Sequence, residues 1–302
     1  MTSAEAHQQA DPVTDVVLDL GKTRCRARSG GAIGEAVGAP GLSTPAGAGA
    51  ALASIQQAVT ATGVTSVRRL AVGAAGALTD PDAAQHLAER LHTTYAGASV
   101  AVTSDAVTAH AGALGGTAGV VVVAGTGAVA VAVGPNGAVA VVDGLGPVDG
   151  DVGSGAWIGT AMITEAAHSG RWADVVRRRL GDTWRELAGD RSYEHARRRA
   201  SLVPDLGALA ADGDAAAAAL IASAASALAR TATEAADEVG GVDSVAVVGG
   251  LTGLGSALLA PMAEAVRPLR WRAASGSALD GAQLLLDRHD LPHERHVHRL
   301  RR

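Results

Sequence analysis

The sequence predicts a two-domain α/β protein, and three observations carry that reading. The 302 residues are long for one compact core. Apolar, β-branched runs alternate along the chain with stretches of helical period. A strand, a Gly-containing turn and a second strand appear twice, as LDLGKTRCRAR from Leu18 to Arg28 and as VVVVAGTGAVAVAV from Val120 to Val133. Two hairpins, each opening an α/β unit, predict two domains of similar plan facing one another across a cleft. The expected boundary falls at 116/117, giving an N-terminal domain over 1–116 and a C-terminal domain over 117–288. The last helix is free to pack back on the first domain, and 289–302 reads as a polar, solvated tail.

Period and punctuation place strands near 13–20, 24–29, 67–73, 99–103, 119–124, 128–133, 138–142, 243–248 and 269–273. Helices are expected near 46–62, 81–95, 106–114, 156–168, 172–188, 206–239, 254–266 and 277–288. The Ala-rich run 215–229 is good helix former and carries no further signal. The uncharged stretch from Thr117 to Val142 has the composition of a membrane span. It is broken by Gly125-Thr126-Gly127 and by Pro135-Asn136-Gly137, and Asn-Gly between β-branched runs signals a hairpin instead.

Composition excludes several classes of function. The formal net charge of −5 offers no basic footprint for nucleic acid, and the Arg runs at 177–179 and 197–199 read as solvated helix faces. Cys25 is the single cysteine, so no internal disulfide framework exists and a reducing cytoplasm is the expected compartment. The first dozen residues are polar and acidic, without an apolar signal core. The three histidines His293, His296 and His298 of the tail read as adventitious metal binders at most. Lys22 is the only lysine in a chain that otherwise uses arginine, in a composition skewed to Ala and Gly.

Three Gly turns follow apolar strands. In DLGKT, Asp19 to Thr23, backbone amides, a hydroxyl and an ammonium meet at the end of a strand, an arrangement that cradles phosphate or forms an ordinary hairpin with an exposed lysine. AGTGA, Ala124 to Ala128, offers a second anion nest of the same kind. VAVVGGLTGLG, Val245 to Gly255, offers bare backbone for close approach of a flat ligand. Neither a G-x-x-x-x-G-K-[ST] nor a well-placed G-x-G-x-x-G is present, which argues against a P-loop or a dinucleotide site. Two carboxylates stand out. Asp105 follows the strand SVAVT and directly precedes the expected helix AVTAHAGAL, a position that suits an N-cap as well as catalysis. Asp151 lies in the Gly-rich loop GLGPVDGDVGSGAWIG, where a carboxylate serves a ligand or a turn.

The order DLGKT, SDAVTAHAGALGGTAGVVVVAGTGAVA, GDVGSGAWIG, VVGGLTGLG and SALDGAQLLL resembles the N-acetylglucosamine kinase branch of the sugar kinase, heat-shock chaperone and actin superfamily. The BadF/BadG/BcrA/BcrD-type ATPases, among them the benzoyl-CoA reductase activators, belong to the same broader group. The resemblance covers nearly the whole chain to about residue 288, and its middle block is the most specific part. It implies two ribonuclease H-like domains facing across a nucleotide- and sugar-binding cleft.

The resemblance also implies roles. Asp19 would hold Mg²⁺ through water, with Gly21, Lys22 and Thr23 near the transferred phosphate. Gly125, Thr126 and Gly127 would hold the β-phosphate of ATP, and Gly249, Gly250 and Leu251 the adenosine. Asp105 would be the catalytic base, and Ser43, Thr44, Asp105, Gly144 and Asp151 would contact the sugar. The implied reaction is ATP- and Mg²⁺-dependent phosphorylation of an amino sugar, N-acetylglucosamine or glucosamine, at its 6-hydroxyl. The alternative is a non-catalytic nucleotide- or sugar-binding sensor of the same fold, or an ATPase with another acceptor. The expected partner is a small-molecule sugar, with a homodimer as the candidate assembly and neither nucleic acid nor membrane involved. Four departures bear on the sugar. The fuller Gly-Gly-Gly-Thr turn is shortened to Leu20-Gly21-Lys22-Thr23, the loop GAPGLSTPAG offers Ser43 and Thr44 in place of an Asn, Leu145 replaces an aromatic residue, and Val152 an acidic one. The single Cys25 cannot supply the cluster ligands that the activating ATPases need.

Overall fold

The structure, a computed structural model, describes residues 14–301. The polar opening dozen residues, Val13 at the start of the first expected strand, and Arg302 lie outside the described residues. The chain forms two compact units, 1–116 with 276–302, and 117–275.

The first unit opens with the antiparallel meander β1 (Thr14–Leu20), β2 (Arg24–Ser29) and β3 (Ala32–Val37). Helix α1 (Gly47–Ala61), strand β4 (Val67–Ala74), helix α2 (Pro81–Thr94), strand β5 (Ser99–Thr103) and helix α3 (Asp105–Ala113) follow, with β4 parallel to both β1 and β5. In the second unit the plan repeats. A meander of β6 (Gly119–Ala124), β7 (Ala128–Val133) and β8 (Val139–Asp143) leads through the short turn α4 (Gly146–Asp149) to helices α5 (Gly155–Ser169), α6 (Ala173–Leu180), α7 (Tyr193–Ala200), α8 (Val203–Ala211) and α9 (Ala215–Val239). Strand β9 (Ser244–Val248) lies parallel to β6, and after α10 (Ser256–Ala265) the two-residue β10 (Arg270–Trp271) lies parallel to β9. The chain then returns to the first unit with α11 (Ala278–Asp287) and β11 (His298–Leu300). The sheets run β11-β5-β4-β1-β2-β3 and β10-β9-β6-β7-β8. Apart from β11 the orders correspond strand for strand, which is the repeat announced by the two hairpins.

Burial follows the period of two expected of strands covered on both faces. On β1, Val16, Leu18 and Leu20 join Ile55, Leu87 and Leu91 of α1 and α2. Val17, with Ala71 and Ala101 of β4 and β5, faces Leu279, Ala282 and Leu286 of α11 on the other side. Helices α3 and α11 approach at glycine: a Cβ on Gly112 would lie 1.9 Å from the Ser277 carbonyl oxygen, and one on Gly281 1.8 Å from that of Thr108. In the second unit Val120 and Val122 pack with Ile158, Met162 and Ile163 of α5 and with Ile221 and Leu228 of α9. Among the described residues α9 is long and apolar enough to cross a membrane, but half of that stretch is buried within its unit, as in the core helix of a globular domain.

Several expectations need correction. The segment 289–302 is not a solvated tail: residues 292–296 form a 3-10 turn, His293 is fully buried, and β11 pairs antiparallel with β5. Apolar Leu291 and Val297, placed between charged residues, supply the burial that composition alone concealed. The expected helix 206–239 is two, because Asp212-Gly213 turns the chain and Asp214 caps the next helix through the amides of Ala216 and Ala217. Gly181 likewise ends α6 inside the expected 172–188 helix. Strand β3 had no expectation; AIGEAV is an edge strand with exposed Ile33 and Val37, so its alternation is weak. The helix face expected at 197–199 lies in α7, but it is not wholly solvated, since Arg199 is fully buried and bound to Asp190 and the Ser192 carbonyl.

Candidate active site

In the first unit the candidate residues gather at the carboxyl ends of β1, β4 and β5, the edge where open α/β sheets bind ligands. Asp19 pairs in register with Gly73 of β4, and Gly73 with Thr103 of β5, so Asp19 and Asp105 flank the end of one strand. Gly21 closes the turn by donating to the Arg24 carbonyl at 3.0 Å. The Lys22 and Thr23 amides, both in exposed residues, have no acceptor among the described residues. The loop from Gly38 to Gly47 is pinned to this edge, with the Leu42 amide donating to Ala75 at 2.9 Å and the Ala75 amide to Leu20 at 2.9 Å. Ser43 and Thr44 are exposed there, and the Thr44 hydroxyl donates to the Gly41 carbonyl at 2.9 Å.

Asp105 is the first residue of α3, and Ser104 is the N-cap, one residue earlier than the expected capping position. The Ala106 amide reaches both Ser104 Oγ at 3.0 Å and Asp105 Oδ1 at 2.9 Å, while Ser104 Oγ donates to Asp105 Oδ1 at 3.2 Å. Burial pushes the Asp105 carboxyl above its ordinary value, opposed by the Ala106 amide. The neighbouring charge of Asp19 adds to the rise, whereas the Ser104 hydroxyl and the Lys22 ammonium draw it back. The result is a carboxylate with raised proton affinity, the property a general base requires. Asp19 accepts from Arg26 Nη2 at 2.7 Å, a partner that sequence reading missed. The signal was present as alternation in Arg24-Cys25-Arg26, which puts Arg26 opposite Asp19 across the hairpin.

In the second unit the turn Gly125–Gly127 joins β6 to β7. The Gly125 amide donates to the Gly127 carbonyl at 2.9 Å, and the Thr126 and Gly127 amides have no acceptor among the described residues. The turn is held from two sides. The first amides of α5, Gly155 and Ala156, donate to the carbonyls of Gly125 and Thr126 at 2.8 and 3.0 Å. Asp151, buried, accepts the Ala128 amide at 3.1 Å. Gly249, at φ 106°, lies against the same turn, where a Cβ would sit 2.4 Å from the Ala124 carbonyl oxygen. Gly250 is open, and Leu251 is buried beneath it. Gly125, Thr126, Gly127, Gly249 and Gly250 are thus brought together with Asp151. Gly144, at φ 75°, donates to the Ala128 carbonyl at 2.9 Å beside them.

Asp143 was also missed. It adopts φ 67° and its carboxylate accepts the amides of Asp151 at 2.6 Å and Val152 at 2.9 Å, shaping the loop. Its signal was an Asp-Gly pair closing a strand. A cavity of about 500 Å³ borders Asp151 and is lined also by Asp149, Trp157, Thr160, Glu165 and Arg191.

Each unit taken by itself offers a pair of free amides that suits phosphate oxygens, 22–23 in the first and 126–127 in the second. Among the described residues no group of three or more His, Cys, Asp or Glu could hold a metal. Mg²⁺ in phosphoryl-transfer sites needs only one or two carboxylates beside phosphate and water, and Asp19 can be one.

No curated protein matches the chain. Among solved structures it is similar to a protein of Chromobacterium violaceum named as a candidate N-acetylglucosamine kinase, 26% identical with a TM-score of 0.64, over 91% of this chain and 99% of that one. A second such candidate, from Porphyromonas gingivalis, is 18% identical with a TM-score of 0.70 over the same shares. A ROK family glucokinase of Streptomyces griseus, solved with glucose and AMPPNP, is 15% identical with a TM-score of 0.57, again over 91% and 99%. The two-unit α/β fold is that of the sugar kinases. Residues 18–267 match the sequence model of the BadF/BadG/BcrA/BcrD ATPase family, and the chain belongs to that family.

Proposed function

We propose that the protein transfers the γ-phosphoryl group of ATP to the 6-hydroxyl of an amino sugar, N-acetylglucosamine or glucosamine. The observation that carries this reading is the placement of Asp105, a carboxylate of raised proton affinity, on the sheet edge that also presents Asp19 and the free amides of Lys22 and Thr23. The similarity to two candidate N-acetylglucosamine kinases supports the acceptor class.

In this reading Asp105 accepts the proton of the sugar hydroxyl while the hydroxyl oxygen bonds to the γ-phosphorus and the bond from phosphorus to the β-phosphate bridging oxygen breaks, releasing ADP. A positioned carboxylate supplies roughly 10² to 10⁴ in rate. The Thr126 and Gly127 amides take the β-phosphate, and Lys22 with its turn takes charge that develops during transfer. Gly249, Gly250 and Leu251 form the floor for adenosine. Asp19 would hold Mg²⁺ through water, and the ion would supply neutralisation of phosphate charge when bound with the nucleotide. Ser43, Thr44 and Gly144 are the remaining sugar contacts. Asp151 is assigned both to the acceptor and to bracing the phosphate turn. Cys25, buried with its thiol pushed up to about 12, takes no part and suits a reducing cytoplasm.

The test is ADP release from Mg·ATP with a panel of hexoses, hexosamines and N-acetylhexosamines and a no-sugar control. Turnover that depends on one amino sugar is expected. Nucleotide binding with no sugar-dependent ADP release across the panel would favour a sensor or an ATPase with another acceptor.

A further inference from the structure

Helix α3 and strand β5, which meet at Asp105, are held by a segment beyond the family match. That match ends at residue 267, whereas Leu291, His293 and His296 lie beyond it. Four ties converge on the strand–helix junction. Strand β11 pairs along β5, with His298 opposite Val102. Thr103, 3% exposed, donates its hydroxyl to the His296 carbonyl at 2.6 Å, two residues before Asp105. His293 Nε2 and His110 Nδ1, both in fully buried rings, share a hydrogen bond of 2.8 Å that joins the segment to α3 five residues after Asp105. Leu291 packs with Val107 and Ala111 on the same helix face.

Covering a sheet edge needs only β11 and apolar packing. Two directional polar bonds on either side of Asp105, one buried and the other made by the buried Thr103 hydroxyl, fix orientation as well, because buried polar contacts are costly unless their geometry is kept. We propose that residues 291–300 are a positioning element for Asp105, and that Thr103, through its bond to His296, is the positioning residue that sets the direction of the carboxylate at the head of α3. This rests on the assignment of Asp105 as base.

The experiment compares the full-length protein with Thr103→Val, Thr103→Ser, Asp105→Asn and the Asp105→Asn/Thr103→Val pair. Valine keeps the shape of threonine in a β-strand and removes the hydroxyl. Thr103→Val is expected to lower kcat about tenfold with KM for ATP and acceptor within about twofold, since a displaced reacting group costs rate and not ground-state binding. Thr103→Ser is expected to restore kcat, and Thr103→Val to add nothing in the Asp105→Asn background. In parallel the Asp105 carboxyl-carbon resonance, identified by its loss in Asp105→Asn, is read at a single pH. It should be displaced in Thr103→Val and return in Thr103→Ser. An unmoved resonance, or an equal loss of kcat in the Asp105→Asn background, would overturn the proposal. A displaced resonance in a protein without sugar-dependent turnover would support the positioning role and remove the kinase reading alone.

Discussion

The carboxylate of Asp151 lies against the backbone of Gly127: a Cβ on that glycine would stand 2.7 Å from Asp151 Oδ2, and the other oxygen accepts the next amide, Ala128, at 3.1 Å. The acidic residue of the Gly-rich loop is therefore built into the turn Gly125–Gly127. Its main chain is held in turn by Asp143, so the turn after β6, the end of β8 and the loop before α5 share one set of bonds.

This contact separates two roles for Asp151. If it braces the turn, Asp151→Asn exchanges a charge-assisted bond to a backbone amide for a neutral one, at roughly 1 to 2 kcal/mol. Calorimetry should then show ATP affinity falling about tenfold, with the acceptor KM changing less. A selective rise in the acceptor KM with unchanged ATP affinity would return Asp151 to the sugar side alone.

Asp105→Asn should fold and bind nucleotide normally, since the Ser104 cap and the Ala106 amide still have oxygen acceptors. Transfer should fall by roughly 10² to 10⁴ because the amide cannot take a proton. Single-turnover rates measured beside nucleotide affinity check this, and an active Asp105→Asn enzyme would remove the residue from its role.

Lys22 and Arg28 make a matched pair of cation deletions in one hairpin. The Lys22 ammonium is exposed and has no hydrogen-bond or ion-pair partner among the described residues, whereas Arg28 is bound to Asp280 at 2.7 Å and to the Leu279 carbonyl at 3.3 Å. Lys22→Ala should raise the ATP KM about tenfold at unchanged Tm. Arg28→Ala should leave the ATP KM near wild type and cost up to about 1 kcal/mol of stability, as part-exposed pairs do. Similar small effects of both on ATP would make Lys22 an ordinary turn residue.

Apart from β3 and β11, the strands and the three Gly turns were legible because they rest on local signals: period, β-branching and glycine after an apolar run. The internal echo of two hairpins extends to a strand-for-strand correspondence of the two sheets, since each hairpin opens the same meander. What the sequence hid depends on register, on rival residues side by side and on contacts far along the chain. Arg26 is identifiable only once the hairpin register sets it opposite Asp19. Ser104 was masked by the aspartate beside it, because either residue suits a cap. The last fourteen residues look polar because His and Arg dominate them, yet over 289–301 the burial of Leu291, the His293 imidazole and the Arg299 bonds to Glu294 turn that composition into folded structure. The cavity beside α5 draws Trp157 and Arg191 from separate elements, which no spacing rule joins.

The His110–His293 pair also fixes how stability responds to acid. A hydrogen bond between two ring nitrogens requires at least one of them unprotonated, and His293 Nδ1 has no partner that could stabilise a charge. Burial, with the neighbouring His110 and His296, lowers the His293 pKa from 6.5 to about 3. Above pH 6.5 neither the folded nor the unfolded chain protonates this ring, so it adds no pH dependence. Below 6.5 the unfolded chain takes up the proton and the folded one does not, so stability falls with pH until about 3, by no more than about 1.4 kcal/mol per unit. Denaturant midpoints between pH 7 and 4 should therefore drop more steeply in wild type than in His293→Phe, which removes the group while filling its space. The phenylalanine variant is expected to start lower at pH 7, where the bond to His110 is lost, and to converge on wild type as the pH falls. Parallel slopes for the two proteins would show that the buried imidazole takes a proton in the folded state and that the pair tolerates charge.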